Sequence, residues 1–198
     1  MPFTIYSYCH FPVLCTLVLA ILCTAPVWAG FEEGMAAYDR GDYATTVNEW
    51  RPLAEQGDRT AQHHLAWLYL IGRGVPQDNE EAVRWFTKAA EQGDSDAQTN
   101  LGSLYLLGDR IPQDYTEALK WLHAAADQGH PFAQMKLGIL YEDAHGVPQD
   151  YVQAYMWFSL AAQQSMSAEA FLGDLTKRMT PTQIAEAQKL AREWTPKQ

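Results

Sequence analysis

Histidines, carboxylates and cysteines are the side chains from which this chain could build chemistry, and their spacing speaks against a reaction centre. His63 and His64 are the one adjacent histidine pair. Neighbouring residues of a helix point about 100° apart, so the pair lacks the i, i+4 spacing with which two histidines grip one metal ion. His123, His130 and His145 have no cysteine or paired carboxylate at ligand spacing, and each fills a position that other residue types hold in the related segments. Asp78, Asp114 and Asp150 recur, but whole-repeat spacing keeps them far apart. Each precedes a helix that it can cap. Cys9, Cys15 and Cys23 all lie in an N-terminal leader, which leaves the rest of the chain without a disulfide, thiol nucleophile or thiolate metal site. No zinc-protease helix, phosphate loop, dinucleotide fingerprint or nucleophile elbow occurs. The expectation is a chain with no catalytic residues, no cofactor and no bound metal.

What does recur is architecture. Ala61, Ala97 and Ala133 open nearly the same segment at intervals of 36 residues. Leu65, Leu101 and Leu137 keep the register, as do Tyr69, Tyr105 and Tyr141, then Pro76, Pro112 and Pro148, then Trp85, Trp121 and Trp157. A period of this size marks stacked helical pairs. The reading is an all-α, right-handed solenoid of antiparallel helix pairs. It has repeats at 61–96, 97–132 and 133–167, an N-terminal pair at 30–60, and a C-terminal half-repeat with a capping helix at 168–198.

Within one unit, Ala61, Leu65 and Tyr69 step by four along one helical face. Gly72-Arg73-Gly74 stops this first helix, and Val75-Pro76-Gln77 links it to the second. Asp78 is the expected N-cap of the second helix, with Glu81 as its capping-box partner; Asp114 with Glu117 and Asp150 with Gln153 repeat the device. Ala82, Trp85, Phe86, Ala89 and Ala90 then form an apolar stripe, which makes the recurrent tryptophans packing residues. Gly102 and Gly138 lie inside first helices, where glycine costs about 1 kcal/mol relative to alanine. Close approach of the partner helix is the expected compensation. Gly93 and Gly129 stop the second helices, and Ser165 makes a weaker stop in the third copy. At the C-terminal end, Thr180-Pro181-Thr182-Gln183 opens a last helix whose face with Glu186, Lys189 and Arg192 should be wet.

The chain has 198 residues, 47% of them hydrophobic, and a formal net charge of −10. That balance argues against nucleic acid or an anionic membrane surface as partner, since both select a basic face. The first 29 residues carry no Asp, Glu, Lys or Arg, and the apolar run Val13–Ala25 is followed by Pro26-Val27-Trp28-Ala29. This is the pattern of a secretory signal peptide over 1–29, cleaved before Gly30, and it implies a periplasmic or secreted protein with no membrane contact after cleavage. The segment before the run lacks Lys or Arg, which keeps open the alternative of an uncleaved inner-membrane anchor. Pro12-Val13-Leu14 and Ala20-Ile21-Leu22 precede Cys15 and Cys23 without the small residue of a lipoprotein site.

The quoted framework resembles the Sel1-like repeat family, relatives of the tetratricopeptide solenoids and here of the secreted bacterial type. The likeness rests on the Ala-x-x-x-Leu first helix, the Gly72-Arg73-Gly74-Val75 loop, and the second-helix residues Ala82, Trp85, Ala89 and Ala90. It is clear over 61–168 and degenerate to about 31–194. The sequence departs at Asp109-Arg110 and at Ala144-His145, where looser turns are expected. The resemblance implies a non-enzymatic scaffold binding a protein or peptide partner in cell-envelope processes, with an enzyme or enzyme regulator acting on cell-wall material as the alternative. In the related tetratricopeptide fold the first helices line the concave face. That register puts His63, Trp67, Leu70 and Ile71 toward a groove, with Thr99, Ser103, Leu106 and Leu107 and then Met135, Ile139, Glu142 and Asp143 as equivalents. Trp67 stands out, because its equivalents are Ser103 and Ile139. It reads either as a binding anchor or as a filler against the N-terminal pair.

Overall fold

The computed structural model describes residues 27–197, and these form ten helices with no strand among them. The helices are α1 (Val27–Asp39), α2 (Tyr43–Glu55), α3 (Arg59–Ile71), α4 (Asn79–Glu91), α5 (Ser95–Leu107), α6 (Tyr115–Asp127), α7 (Pro131–Asp143), α8 (Tyr151–Ala162), α9 (Met166–Thr176) and α10 (Pro181–Glu193). Consecutive helices from α1 to α9 pack on one another, which makes an all-α solenoid of antiparallel pairs. The leader expected over 1–29 lies outside the described residues, except that Val27–Ala29 open α1. No described helix is long and apolar enough to cross a membrane.

Aspartates set where helices begin. Asp78, Asp114 and Asp150 each accept from the backbone N–H groups two and three residues on, which satisfies donors that have no partner inside the helix. The reciprocal half of the expected boxes is not made. Glu81 pairs with Arg84 at 2.6 Å, and Glu117 takes Lys120 at 3.0 Å and the indole N–H of Trp121 at 2.9 Å. A nearby cation or indole N–H holds each carboxylate away from the N-cap. Among the described residues the complete box is at Thr180 and Gln183. The first helices are capped as well, three residues before the alanines that mark the repeat: Asp58, Asp94 and His130 accept from the N–H of Ala61, Ala97 and Ala133.

The first helices stop in the left-handed conformation, at Gly72 and Gly108 with φ of 68° and at Ala144 with φ of 60°. The turns expected to be loose are held by side chains. Arg110 reaches back to the carbonyl of Leu70 at 3.0 Å, while Asn79 donates to the Arg110 carbonyl at 2.9 Å. His145 stacks on Tyr115 with ring centroids 5.3 Å apart. Inside the repeats the close approach is present: a Cβ on Gly102 would lie 2.7 Å from Leu122 Cγ, and one on Gly138 2.5 Å from the Phe158 ring.

Trp85, Trp121 and Trp157 are buried with the alanine stripe. Trp50 stands one repeat before Phe86 rather than before a framework tryptophan. It stacks between Phe31 and Tyr38 and donates to the Phe31 carbonyl at 3.2 Å. A row of buried glutamines joins successive pairs. Gln62, Gln98 and Gln134 donate to the carbonyls of Ala54, Ala90 and Ala126 at 2.9, 3.0 and 3.2 Å. Gln92 and Gln128 donate in turn to Gln62 and Gln98. In the third copy α8 has 12 residues where α4 and α6 have 13. Gln164 therefore donates to Gly129 and leaves the Gln134 side-chain oxygen buried without a partner.

The last helix turns back. It packs on α8, whose Tyr155, Met156 and Leu160 replace Val83, Arg84 and Lys88 of α4. An outer face that is charged on α4 is thus apolar on α8, and it needs a cover. Ala187 is buried there while Glu186, Lys189 and Arg192 are exposed. Past the helix, Lys197 bonds both the carbonyl and the carboxylate of Asp127, each at 2.7 Å.

Candidate protein-docking groove

The exposed stripe of the first helices is assembled from different repeats. On α3 it carries Trp67 and Ile71, on α5 Leu107 beside half-buried Asn100 and Ser103, on α7 Phe132 beside half-buried Lys136, and on α9 Phe171. Bonds between neighbouring first helices set their spacing. The Asn100 amide donates to His63 Nε2 at 3.0 Å, and His130 Nε2 meets the Asp96 carboxylate at 2.9 Å.

Between α3 and α5 this stripe sinks into a cavity of about 230 Å³, lined by Trp67, Leu70, Ile71, Ser103, Leu104 and Leu107, with Asn100, Asp109 and Arg110 at its polar edge. Trp67 is 38% exposed, Ile71 40% and Leu107 62%. The Trp67 ring meets Phe86 edge-on, with centroids 5.9 Å apart, so one edge is packed within its own helix pair and the rest faces the cavity. A cavity of this size falls below the roughly 300–1,000 Å³ of small-molecule sites and suits one or two side chains.

The remaining groove positions divide. Leu70 is buried and contributes one edge to the cavity. Ser103 lines it while its hydroxyl bonds the Thr99 carbonyl at 2.6 Å. Thr99 itself is buried, with its hydroxyl on the Ser95 carbonyl at 2.8 Å, and offers no surface. Leu106 packs against the cluster around Leu122 and Leu137. Met135 and Ile139 are half-buried against the cluster of Phe158, Leu175 and Ala187. Glu142 pairs with Arg178 at 2.6 Å, and Asp143 is exposed.

His63 and His64 belong to an aromatic layer. Their rings lie 5.2 Å apart, His63 contacts Phe86, and His64 contacts Phe31 and Trp50. Burial pushes both imidazoles below the ordinary histidine value, with the charge of His63 lowering His64 further. The neutral ring is what the Asn100 bond requires. Among the described residues no cluster of three or more His, Cys, Asp or Glu side chains could hold a metal ion. The repeat register does not single out Asn100, Leu104, Asp109 or Arg110 as cavity residues. Leu104 was hidden by its membership of the buried stripe. Arg110 was legible only as the residue standing where the first copy has Gly74.

The family model described as Sel1 repeat matches residues 60–94, 95–130 and 131–166. Among solved structures, a Sel1 repeat protein from Oxalobacter formigenes is 35% identical with a TM-score of 0.68, over 72% of this chain and 59% of that one. A protective antigen present in uropathogenic Escherichia coli strains, displaying an SLR fold, is 29% identical with a TM-score of 0.51, over 85% of this chain and 45% of that one. The chain thus spans less than two thirds of the length of either. No curated protein matches it.

Proposed function

The chain belongs to the Sel1 repeat family, and from that premise we propose that it is a non-catalytic scaffold of the bacterial cell envelope that binds a protein or peptide partner in the groove of its first helices. Sel1 repeat proteins are generally protein-interaction scaffolds, and the fold is typically non-catalytic. The observation that carries the reading is the side-chain-sized cavity between α3 and α5, where Trp67, Ile71 and Leu107 leave apolar surface uncovered. Large side chains held on rigid helices lose little entropy on docking, which suits them as anchors. The charge-free leader supports export, with cleavage before Gly30 and residence in the periplasm or outside the cell.

The test is capture from envelope extract by the mature chain, compared with Trp67→Ala. Truncating an anchor costs about 2 kcal/mol or more, roughly thirtyfold in affinity. Partner capture should fall by that factor while the helical circular-dichroism signal persists. Binding that survives Trp67→Ala but is lost on altering the exposed faces of α4 and α6 would overturn the groove reading. N-terminal sequencing of the expressed protein tests export: Gly30 as first residue supports it, and Met1 in the membrane fraction establishes an anchored form.

A further inference from the structure

Lys136, on the first-helix face of α7, is a cation that no carboxylate among the described residues neutralises. It stands on α7 one repeat after Asn100, and so continues across the groove the row in which Asn100 edges the Trp67 cavity. Its side chain is half-buried, and among the described residues it enters no ion pair. Asp96 is held by His130, Glu142 by Arg178, and Arg110 by the Leu70 carbonyl, whereas Asp109 at the cavity edge and Asp143 at the end of α7 are exposed to water. Burial lowers the pKa of the Lys136 ammonium with no nearby charge to offset it. Exposed aromatic rings flank its place on the first-helix face. Phe132, one turn earlier, is 55% exposed, and Phe171, at the matching place on α9, is exposed and stacks on Phe158 at 5.1 Å. An ammonium drawn partly out of water without a counter-charge is unfavourable in the free protein, and a docked carboxylate relieves it. Low-dielectric walls strengthen such a pair beyond one on open surface.

We propose that the groove selects an acidic protein segment, seating a bulky apolar side chain in the Trp67–Ile71–Leu107 cavity and an Asp or Glu carboxylate on Lys136. The inference rests on the groove reading above and narrows its partner. Packed helices lie about 8–10 Å apart, so α7 stands about 12–15 Å from a cavity centred between α3 and α5, and an extended chain advancing about 3.3 Å per residue spans this in about four positions.

The experiment selects a phage-displayed library of random 12-residue peptides on the mature chain. Enriched sequences are then measured by fluorescence anisotropy against wild type, Lys136→Gln and Trp67→Ala. The expected pool couples Leu, Phe, Met or Trp with Asp or Glu about four positions away. Replacing that acid by its amide in the peptide, a change that leaves the protein untouched, should weaken binding about tenfold or more, matching the loss with Lys136→Gln. The amide peptide should bind wild type and Lys136→Gln alike. A pool without acidic enrichment, or equal binding of acid and amide peptides, overturns the proposal. If Trp67→Ala still weakens those peptides, the groove reading stands without it. A library from which nothing is enriched overturns both.

Discussion

Ala144 is the described non-glycine residue with positive φ, at 60°, and replacing it with glycine should make the protein more stable. The same stop is made by Gly72 and Gly108 at φ of 68°, so the first two repeats supply an internal reference. Holding an L-residue left-handed costs about 1–2 kcal/mol. Ala144 is exposed, and removing its methyl group forfeits little packing. Against that gain, glycine widens the unfolded ensemble by about 0.4–1 kcal/mol. The net expectation is a stabilisation of about 0.5–1 kcal/mol, or ~1–4 °C in melting temperature for a chain of this size. Gly108→Ala should do the reverse and more, because its added Cβ would lie 2.7 Å from the Gln113 Cβ in addition to the backbone strain. Urea and thermal unfolding followed by circular dichroism read both. An Ala144→Gly protein less stable than wild type, or Gly108→Ala without effect, would refute the claim that a shared left-handed stop governs these turns.

Two further outcomes follow from burial. His63, His64 and His123 all have pKa values lowered chiefly by burial. The unfolded chain therefore takes up protons that the folded chain refuses, and stability is full above the ordinary histidine value of 6.5 and falls as pH drops below it. Urea midpoints at pH 7.5 and 5.5 should differ more for wild type than for the His63→Gln/His64→Gln/His123→Gln variant, and an equal drop in both would reject the assignment. Ala187→Asp would place a carboxylate in the seam between α10 and α8, where Ala187 is fully buried. A loss of about 3 kcal/mol or more is expected, with α10 released to protease and the apolar face of α8 opened to a hydrophobic dye; unchanged proteolysis would show that α10 is not held by this seam.

The stops at Gly72 and Gly108, the second-helix caps Asp78, Asp114 and Asp150 and the tryptophan–alanine core are legible in the sequence, whereas the first-helix caps Asp58, Asp94 and His130 are not, since the third copy breaks the pattern with a histidine. The legible features depend on local backbone chemistry and on a repeat that averages out local exceptions. The capping boxes were only half legible, because whether Glu81 reaches back to Asp78 or forward to Arg84 depends on which nearby donor wins. The groove was legible as a stripe but not as a surface. Helical spacing sets the angle between Leu70 and Ile71, yet what buries Leu70 and leaves Ile71 open is where the neighbouring helices lie. Thr99 and Leu106 were turned inward by the same effect, and Arg110 came to the cavity edge by reaching 40 residues back to Leu70. The fold-back of α10 was written in the apolar outer face of α8 as a need for a partner. Only the tertiary packing decided that α10 would meet it, because burial is a property of juxtaposed segments and a single helix cannot specify what covers it.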